Sequence, residues 1–186
     1  MELNILDWFQ TLHTPILDKI MTSITKLGDA GIFWIILTLL FLIIPKMRKT
    51  GIIMAAALIM DLLICNVAVK NLAARTRPYD VNTSVQLLVA KLHDYSFPSG
   101  HTAASFASVT ALYLAGEKKL WKPALVLACL IAVSRLYLYV HYPTDVLAGA
   151  VIGILCGAAA SKLTEMAAAA REARKGSGPE IPVGKL

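Results

Sequence analysis

Charge is scarce in this sequence. Only 16% of its 186 residues are Asp, Glu, Lys or Arg, against about 25% in an ordinary soluble domain. Long stretches carry no charge, and what charge there is bunches at their ends. This excludes a typical water-soluble fold and leaves the pattern of a polytopic membrane protein. Cysteine is sparse too. Cys65, Cys129 and Cys156 each sit inside an apolar run, and none has the pair spacing of a zinc or redox motif. They read as small buried hydrophobes. No cluster of carboxylates suggests a two-metal site, so no cofactor is expected. The first residues lack a basic start followed by a compact apolar stretch, so no cleavable signal peptide is expected.

What remains is apolar: 57% of the chain, in a length that suits one domain. The net charge of +6 would suggest nucleic acid in a soluble protein. Here Lys46, Arg48, Lys49, Lys118, Lys119 and Lys122 fall in short connections between apolar runs, so they read as topological signals and no nucleic-acid partner is expected.

The reading along the chain is an all-α, polytopic membrane helical bundle. Residues 1–28 form an N-terminal amphipathic segment. Thr14-Pro15 reads as an N-cap followed by proline at the first helical position. Ile16, Leu17, Ile20, Met21, Ile24 and Leu27 form one stripe, as expected of a helix that lies in the membrane interface or packs against the bundle. Five clear spans follow within a transmembrane domain at 29–170, and the amphipathic segment is a candidate sixth. Gly31–Ile44 is short for a span of roughly 20 residues, so it is expected to begin earlier. The others are Gly51–Ala74, His101–Ala115, Trp121–Tyr139 and Pro143–Met166. Gly149, Gly153 and Gly157 make a small-residue ridge for close helix approach. Residues 171–186 read as a disordered cytoplasmic tail. With five spans, the basic connections share the cytoplasmic side, and the loop 75–100 and the turn around His141 share the other.

The polar residues with chemical potential all lie at that opposite end. Span two ends with Lys70, Arg75 and Arg77-Pro78. Span three opens with Pro98-Ser99-Gly100-His101. Span four ends with Ser134-Arg135, and His141 and Asp145 open span five. A charge held at the membrane centre costs about 2.5–3.5 kcal/mol on insertion scales. Lys70, Arg77 and Arg135 avoid much of that near span ends, and a shared anion would offset their repulsion. Arg75 taken alone, or Lys70 taken alone, reads as snorkelling to the interface. Lys70 and Arg77, seven apart, would share a helix face, with Pro78 ending the helix. The start of span three offers free N–H groups to an anion. Asp145 can reach back to the His141 imidazole, fixing its tautomer. One neutral histidine can then attack phosphorus while a second, protonated one gives a proton to the leaving oxygen. Such chemistry needs no metal. Val85, Leu87, Leu88 and Leu92 read either as a short interfacial helix or as a loop packed on the bundle. Asp61, inside span two, reads as structural, either protonated or hydrogen-bonded to a neighbouring helix.

At these residues the sequence resembles the type 2 phosphatidic acid phosphatase superfamily. Its three motifs are matched in order by Lys70 with Arg77-Pro78, by Pro98-Ser99-Gly100-His101, and by Ser134-Arg135 with His141 and Asp145. The resemblance implies phosphate binding by Lys70, Arg77, Ser99, Gly100 and Arg135. It implies His101 as general acid, His141 as nucleophile and Asp145 as its partner. Tyr139 stands where many members carry glycine, and is expected to narrow the site. The implied function is metal-independent hydrolysis of a lipid phosphate or diphosphate through a phosphohistidine. Undecaprenyl diphosphate is the first choice; phosphatidate and phosphatidylglycerophosphate are the alternatives. A vanadium haloperoxidase-like enzyme and a non-catalytic lipid binder rank below these. The expected location is the bacterial cytoplasmic membrane, with the site on its extracytoplasmic face.

Overall fold

A computed structural model describes residues 1–176, and every regular element among them is helical. Helices α1 (Glu2–Gln10) and α2 (Pro15–Gly28) form the amphipathic segment. Thr14 caps α2 through its hydroxyl, which accepts from Leu17 N, and Pro15 takes the first helical position. A turn at Asp29–Gly31 leads into α3 (Ile32–Ile43). Ala30 and Gly31 are both left-handed there, so the apolar stretch that continues upstream of Gly31 does so across a kink before Ile32.

Helix α4 (Arg48–Asp61) continues through a π-helical segment, Leu62–Val69, into the single turn α5 (Lys70–Ala73). The helix ends because Ala74 turns left-handed, with φ 44°. Pro78 therefore does not end the helix, as the sequence suggests. It starts a new one, α6 (Pro78–Val81), where a missing N–H costs nothing. Residues 82–99 form no helix. Val85, Leu87, Val89 and Leu92 pack instead on a cluster that includes Tyr79, Tyr137 and Leu138, so the packed-loop reading holds.

Helices α7 (Gly100–Leu114), α8 (Trp121–Tyr137) and α9 (Pro143–Gly176) complete the bundle. The α7–α9 interface is the tightest of these. A Cβ at Gly149 would fall 2.5 Å from Ser99 O, and one at Gly157 2.7 Å from Ala107 O. Gly153 meets the Ala103 carbonyl even more closely. The glycine ridge thus sets the backbone-to-backbone distance. Helix α9 has 34 residues, or about 51 Å at 1.5 Å per residue, well beyond a bilayer core of about 30 Å. It runs past Arg171, where a disordered tail was expected to begin; the rest of that expected tail, 177–186, lies outside the described residues.

The central core joins Trp34, Phe41, Ile53, Met54, Leu112 and Ile131. Trp34 satisfies its indole by donating to Ser105 Oγ at 2.9 Å. A second cluster, built on Leu6 and Tyr137–Val140, lies under α1 at the end that carries the polar motifs. Cys65 and Cys156 are buried as expected, but Cys129 is exposed on the outer surface of α8. Three helical stretches, Pro15–Ile43, Pro45–Val81 and Pro143–Arg174, are long and apolar enough to cross a bilayer; the first contains the break at Asp29–Gly31.

Candidate active site

The three motif segments meet at one end of the bundle. The α4–α5 helix brings Lys70, and its π-helical winding matters here. In such winding each N–H bonds five residues back, so Asp61, Asn66 and Lys70 fall along one side. All three line a cavity of about 560 Å³. Arg77, Gly100, His101 and His141 line the same cavity. It continues down an apolar wall that includes Ile35, Leu39, Ile59 and Leu62. Those four side chains remain 45–59% exposed, so the cavity opens sideways through the lipid-facing surface.

Arg77 lies beyond the helix, not on one helical face with Lys70 as its spacing suggested. Its guanidinium is buried and fully engaged. Nη1 donates to Val140 O at 2.7 Å and stands 3.4 Å from His141 Nε2. Nε donates to Asp94 O at 2.8 Å, and Nη2 to Asp94 Oδ1 at 2.6 Å. Lys70 Nζ donates to Asp94 Oδ2 at 2.5 Å. Asp94 thus bridges both cations. Although burial alone would raise its carboxyl, the bonds and charges of Lys70 and Arg77 hold it down at about 2.

His141 is buried in the short connection between α8 and α9. Its Nδ1 faces Asp145 Oδ2 at 3.5 Å and makes no hydrogen bond in this resting geometry. Catalytic contacts are often this long before substrate arrives. Burial, opposed by Asp145 and reinforced by Arg135 and Arg77, pushes the imidazole below its ordinary range, which keeps it neutral. Asp145 is itself fully buried and held from three sides. Oδ2 accepts from Ser96 Oγ at 2.5 Å and from Tyr142 N at 2.9 Å, and Oδ1 accepts from Arg75 Nη1 at 2.6 Å. Arg75 also reaches Glu2 Oε2 at 2.6 Å, which ties α1 to the site.

His101, in the first turn of α7, places Nε2 2.9 Å from Asp29 Oδ1 in the α2–α3 turn. Gly100 is required by contact: a Cβ there would fall 2.5 Å from Asn66 Oδ1. Two expected phosphate ligands do not line the cavity. Ser99 is buried and its hydroxyl pairs with Thr102 Oγ1 at 3.0 Å, leaving the start of α7 without a side-chain cap. Arg135 is buried behind, donating through Nη1 to Thr25 Oγ1, with Nε unpartnered. Tyr139 does not narrow the cavity. It takes φ 58°, the conformation that favours glycine, and its hydroxyl donates to Asp7 Oδ1 at 2.7 Å. Asp61 is buried with Oδ1 unpartnered, so it makes no bond from that atom to a neighbouring helix.

Sequence reasoning missed Glu2, Asp29, Asp94 and Ser96, and undervalued Arg75. Asp94 lies seven residues before His101 in a stretch with no motif of its own, and Asp80, Lys91 and His93 in the same loop leave its charge undistinguished.

Comparison with known proteins agrees with this geometry. The PAP2 superfamily model matches residues 50–168. An undecaprenyl-diphosphatase from Sulfolobus acidocaldarius is 34% identical over 137 residues, covering 74% of this chain and 66% of that protein. The phosphatidylglycerophosphatase B of Bacillus subtilis is 32% identical over 158 residues, covering 77% of this chain and 73% of that one. The crystal structure of Aquifex aeolicus LpxE superposes with a TM-score of 0.76 at 29% identity, covering 87% of this chain and 94% of that one. Motifs, helical scaffold and family match coincide with relatives named as lipid phosphatases: the chain belongs to the PAP2 superfamily and is a lipid phosphatase.

Proposed function

We propose that this chain hydrolyses undecaprenyl diphosphate to undecaprenyl phosphate by a metal-independent route, from the extracytoplasmic face of a bacterial membrane. The observation that carries the reading is the meeting of Lys70, Arg77, His101 and His141 at one end of a cavity whose remainder is apolar and opens sideways. A phosphate anchored by Lys70 and Arg77 sits against His141 Nε2, the ring atom that faces Arg77. His141 attacks phosphorus, and Asp145 accepts Nδ1–H and supports the positive ring. His101 protonates the leaving oxygen, then takes a proton from the water that hydrolyses the phosphohistidine. Gly100 and the uncapped start of α7 supply N–H donors. Ser99 and Arg135 act at the edge of this cradle, Arg135 through its charge. Five spans, α3, α4–α5, α7, α8 and α9, put the basic connections in the cytoplasm, with α1 and α2 on the outer surface.

Hydrolysis of phosphatidylglycerophosphate or phosphatidate is the second reading. It is favoured by Asn66, a side-chain amide four residues before Lys70 in the cavity lining, which offers hydrogen bonds that a glycerol backbone can use and a prenyl chain cannot. Phosphate release from these lipids in detergent, with chelator present, tests both. The wild type is expected to turn over undecaprenyl diphosphate fastest, and His141→Ala to lose roughly four orders of magnitude or more. Full activity in that variant would remove the nucleophile assignment. Activity lost to chelator and restored by metal would end the metal-free mechanism.

A further inference from the structure

The cationic cradle is filled by the protein itself. The Asp94 carboxylate sits between Lys70 Nζ and Arg77 Nη2, at 2.5 and 2.6 Å, where two phosphate oxygens would bind. It is held there by charge, not by enclosure: its side chain is 52% exposed while those of Lys70 and Arg77 are 8% and 2% exposed. The rest of the Arg77 anchorage does not depend on that carboxylate. Nε on the Asp94 carbonyl, Nη2 on the Tyr95 carbonyl and Nη1 on the Val140 carbonyl are all backbone contacts. The Asp94 side chain can therefore rotate out without releasing the loop or moving Arg77.

We propose that Asp94 is a specificity-determining residue, an internal carboxylate that admits dianionic terminal phosphates and turns away monoanionic phosphodiester lipids. The proposal rests on the phosphatase reading, in that Lys70 and Arg77 are taken as the substrate cradle. A tethered group competes at an effective concentration on the order of millimolar or above. A phosphodiester headgroup carries one negative charge, as the carboxylate does, so it exchanges like for like and must still overcome the tether. A terminal phosphate carries about −1.5 to −2 at pH 7 and brings additional charge and a third oxygen to two buried cations. A membrane enzyme needs such a filter, since phosphodiester lipids surround its lateral opening and would otherwise occupy the cradle. The carboxyl, held at about 2, stays ionised at every working pH, so the anion and not the pH displaces it.

The test compares wild type with Asp94→Asn and Asp94→Ser in detergent micelles. Phosphate release from phosphatidate is measured against added phosphatidylglycerol, a monoanionic diester, and against inorganic phosphate. The expected result is an inhibition constant for phosphatidylglycerol at least about tenfold lower in the variants, as removal of a tethered competitor implies. The inhibition constant for inorganic phosphate and the KM for phosphatidate should also fall, but by smaller factors, because dianionic ligands already displace the carboxylate. Equal phosphatidylglycerol inhibition in all three proteins would overturn the proposal. So would a fall in kcat with unchanged inhibition, which would make Asp94 a support for Arg77. Failure of both variants to fold also counts against it, because the contact would then be structural. A wild type inactive on every lipid would instead remove the phosphatase reading; calorimetric binding of inorganic phosphate to wild type and Asp94→Asn then still decides whether the carboxylate competes.

Discussion

Asp145 shows how much of the site's order comes from residues with no motif. Its two oxygens are shared among Ser96, the Tyr142 amide and Arg75, and only then does one of them face His141. Arg75 is the adjustable partner, being partly exposed and tied also to Glu2 and Thr144. Arg75→Ala should therefore let the carboxylate turn and misalign the imidazole. Misplacement by about 1 Å can cost roughly 10²-fold, and kcat should fall by that order while KM changes little. Arg75→Lys should recover part of the loss, and steady-state kinetics on both variants checks it. A second residue-scale prediction concerns Asp94. Its carboxyl is depressed in the folded state, so its stabilising contribution is complete above the ordinary value of 3.8 and is lost as pH falls toward about 2. Its half-exposed position keeps that contribution small. The Tm difference between wild type and Asp94→Asn should be constant from about pH 8 to 5 and shrink only below about pH 4, as followed by thermal unfolding in detergent. At this scale the motif residues were legible because Lys, Arg and His are costly at span ends without a ligand. Glu2, Asp29, Asp94 and Ser96 were not, because each meets the site across 17 or more residues of sequence, as with Arg77 and Asp94, and each has an ordinary surface role in isolation.

Elements place those residues, and two of them did so in ways that apolar patterning does not record. The π-helical winding of Leu62–Val69 carries the same hydropathy as an α-helix, yet it decides that Asn66 and Lys70 share the cavity. The helix stop at Ala74 is likewise silent, since alanine is the best helix former and here turns left-handed. Pattern reading instead assigned the stop to Pro78. The glycine ridge of α9 was legible, because Gly149, Gly153 and Gly157 recur every four residues and glycine in a helix interior is otherwise a cost. Its mechanism gives a direct test. A side chain at Gly153 would run into the α7 backbone around Ala103 and Ala107. Gly153→Leu should push α7 off α9, costing about 1–3 kcal/mol or more and shifting His101 relative to His141. Val151→Leu, on the exposed face of the same helix, should leave stability and activity unchanged. Thermal unfolding and phosphate release, measured on both variants, distinguish a packing role from general intolerance in α9.

The whole molecule joins a charged end to an apolar, sideways-opening cavity, and that union has a consequence for long substrates. The polar end alone would serve any phosphate ester, including a water-soluble one. The wall of Ile35, Leu39, Ile59 and Leu62 gives a hydrocarbon chain an apolar path from the bilayer to the charged end. Burying apolar surface contributes roughly 25 cal/mol per Å², so even a few prenyl or acyl carbons along the wall would add several kcal/mol of binding. That gain appears in KM and not in the chemical step, because the tail does not change between ground and transition states. Ile59 is the position to test, since its side chain is 59% exposed and can be enlarged without entering the core. Ile59→Trp should raise KM for a long-chain lipid phosphate severalfold or more, while kcat/KM for a soluble phosphate monoester stays at the wild-type value. Equal losses on both substrates would mean that the substitution disturbs the cradle itself. No loss on either would mean that the tail leaves the site by another route, and the lateral opening between α3 and α4 would then need a different occupant.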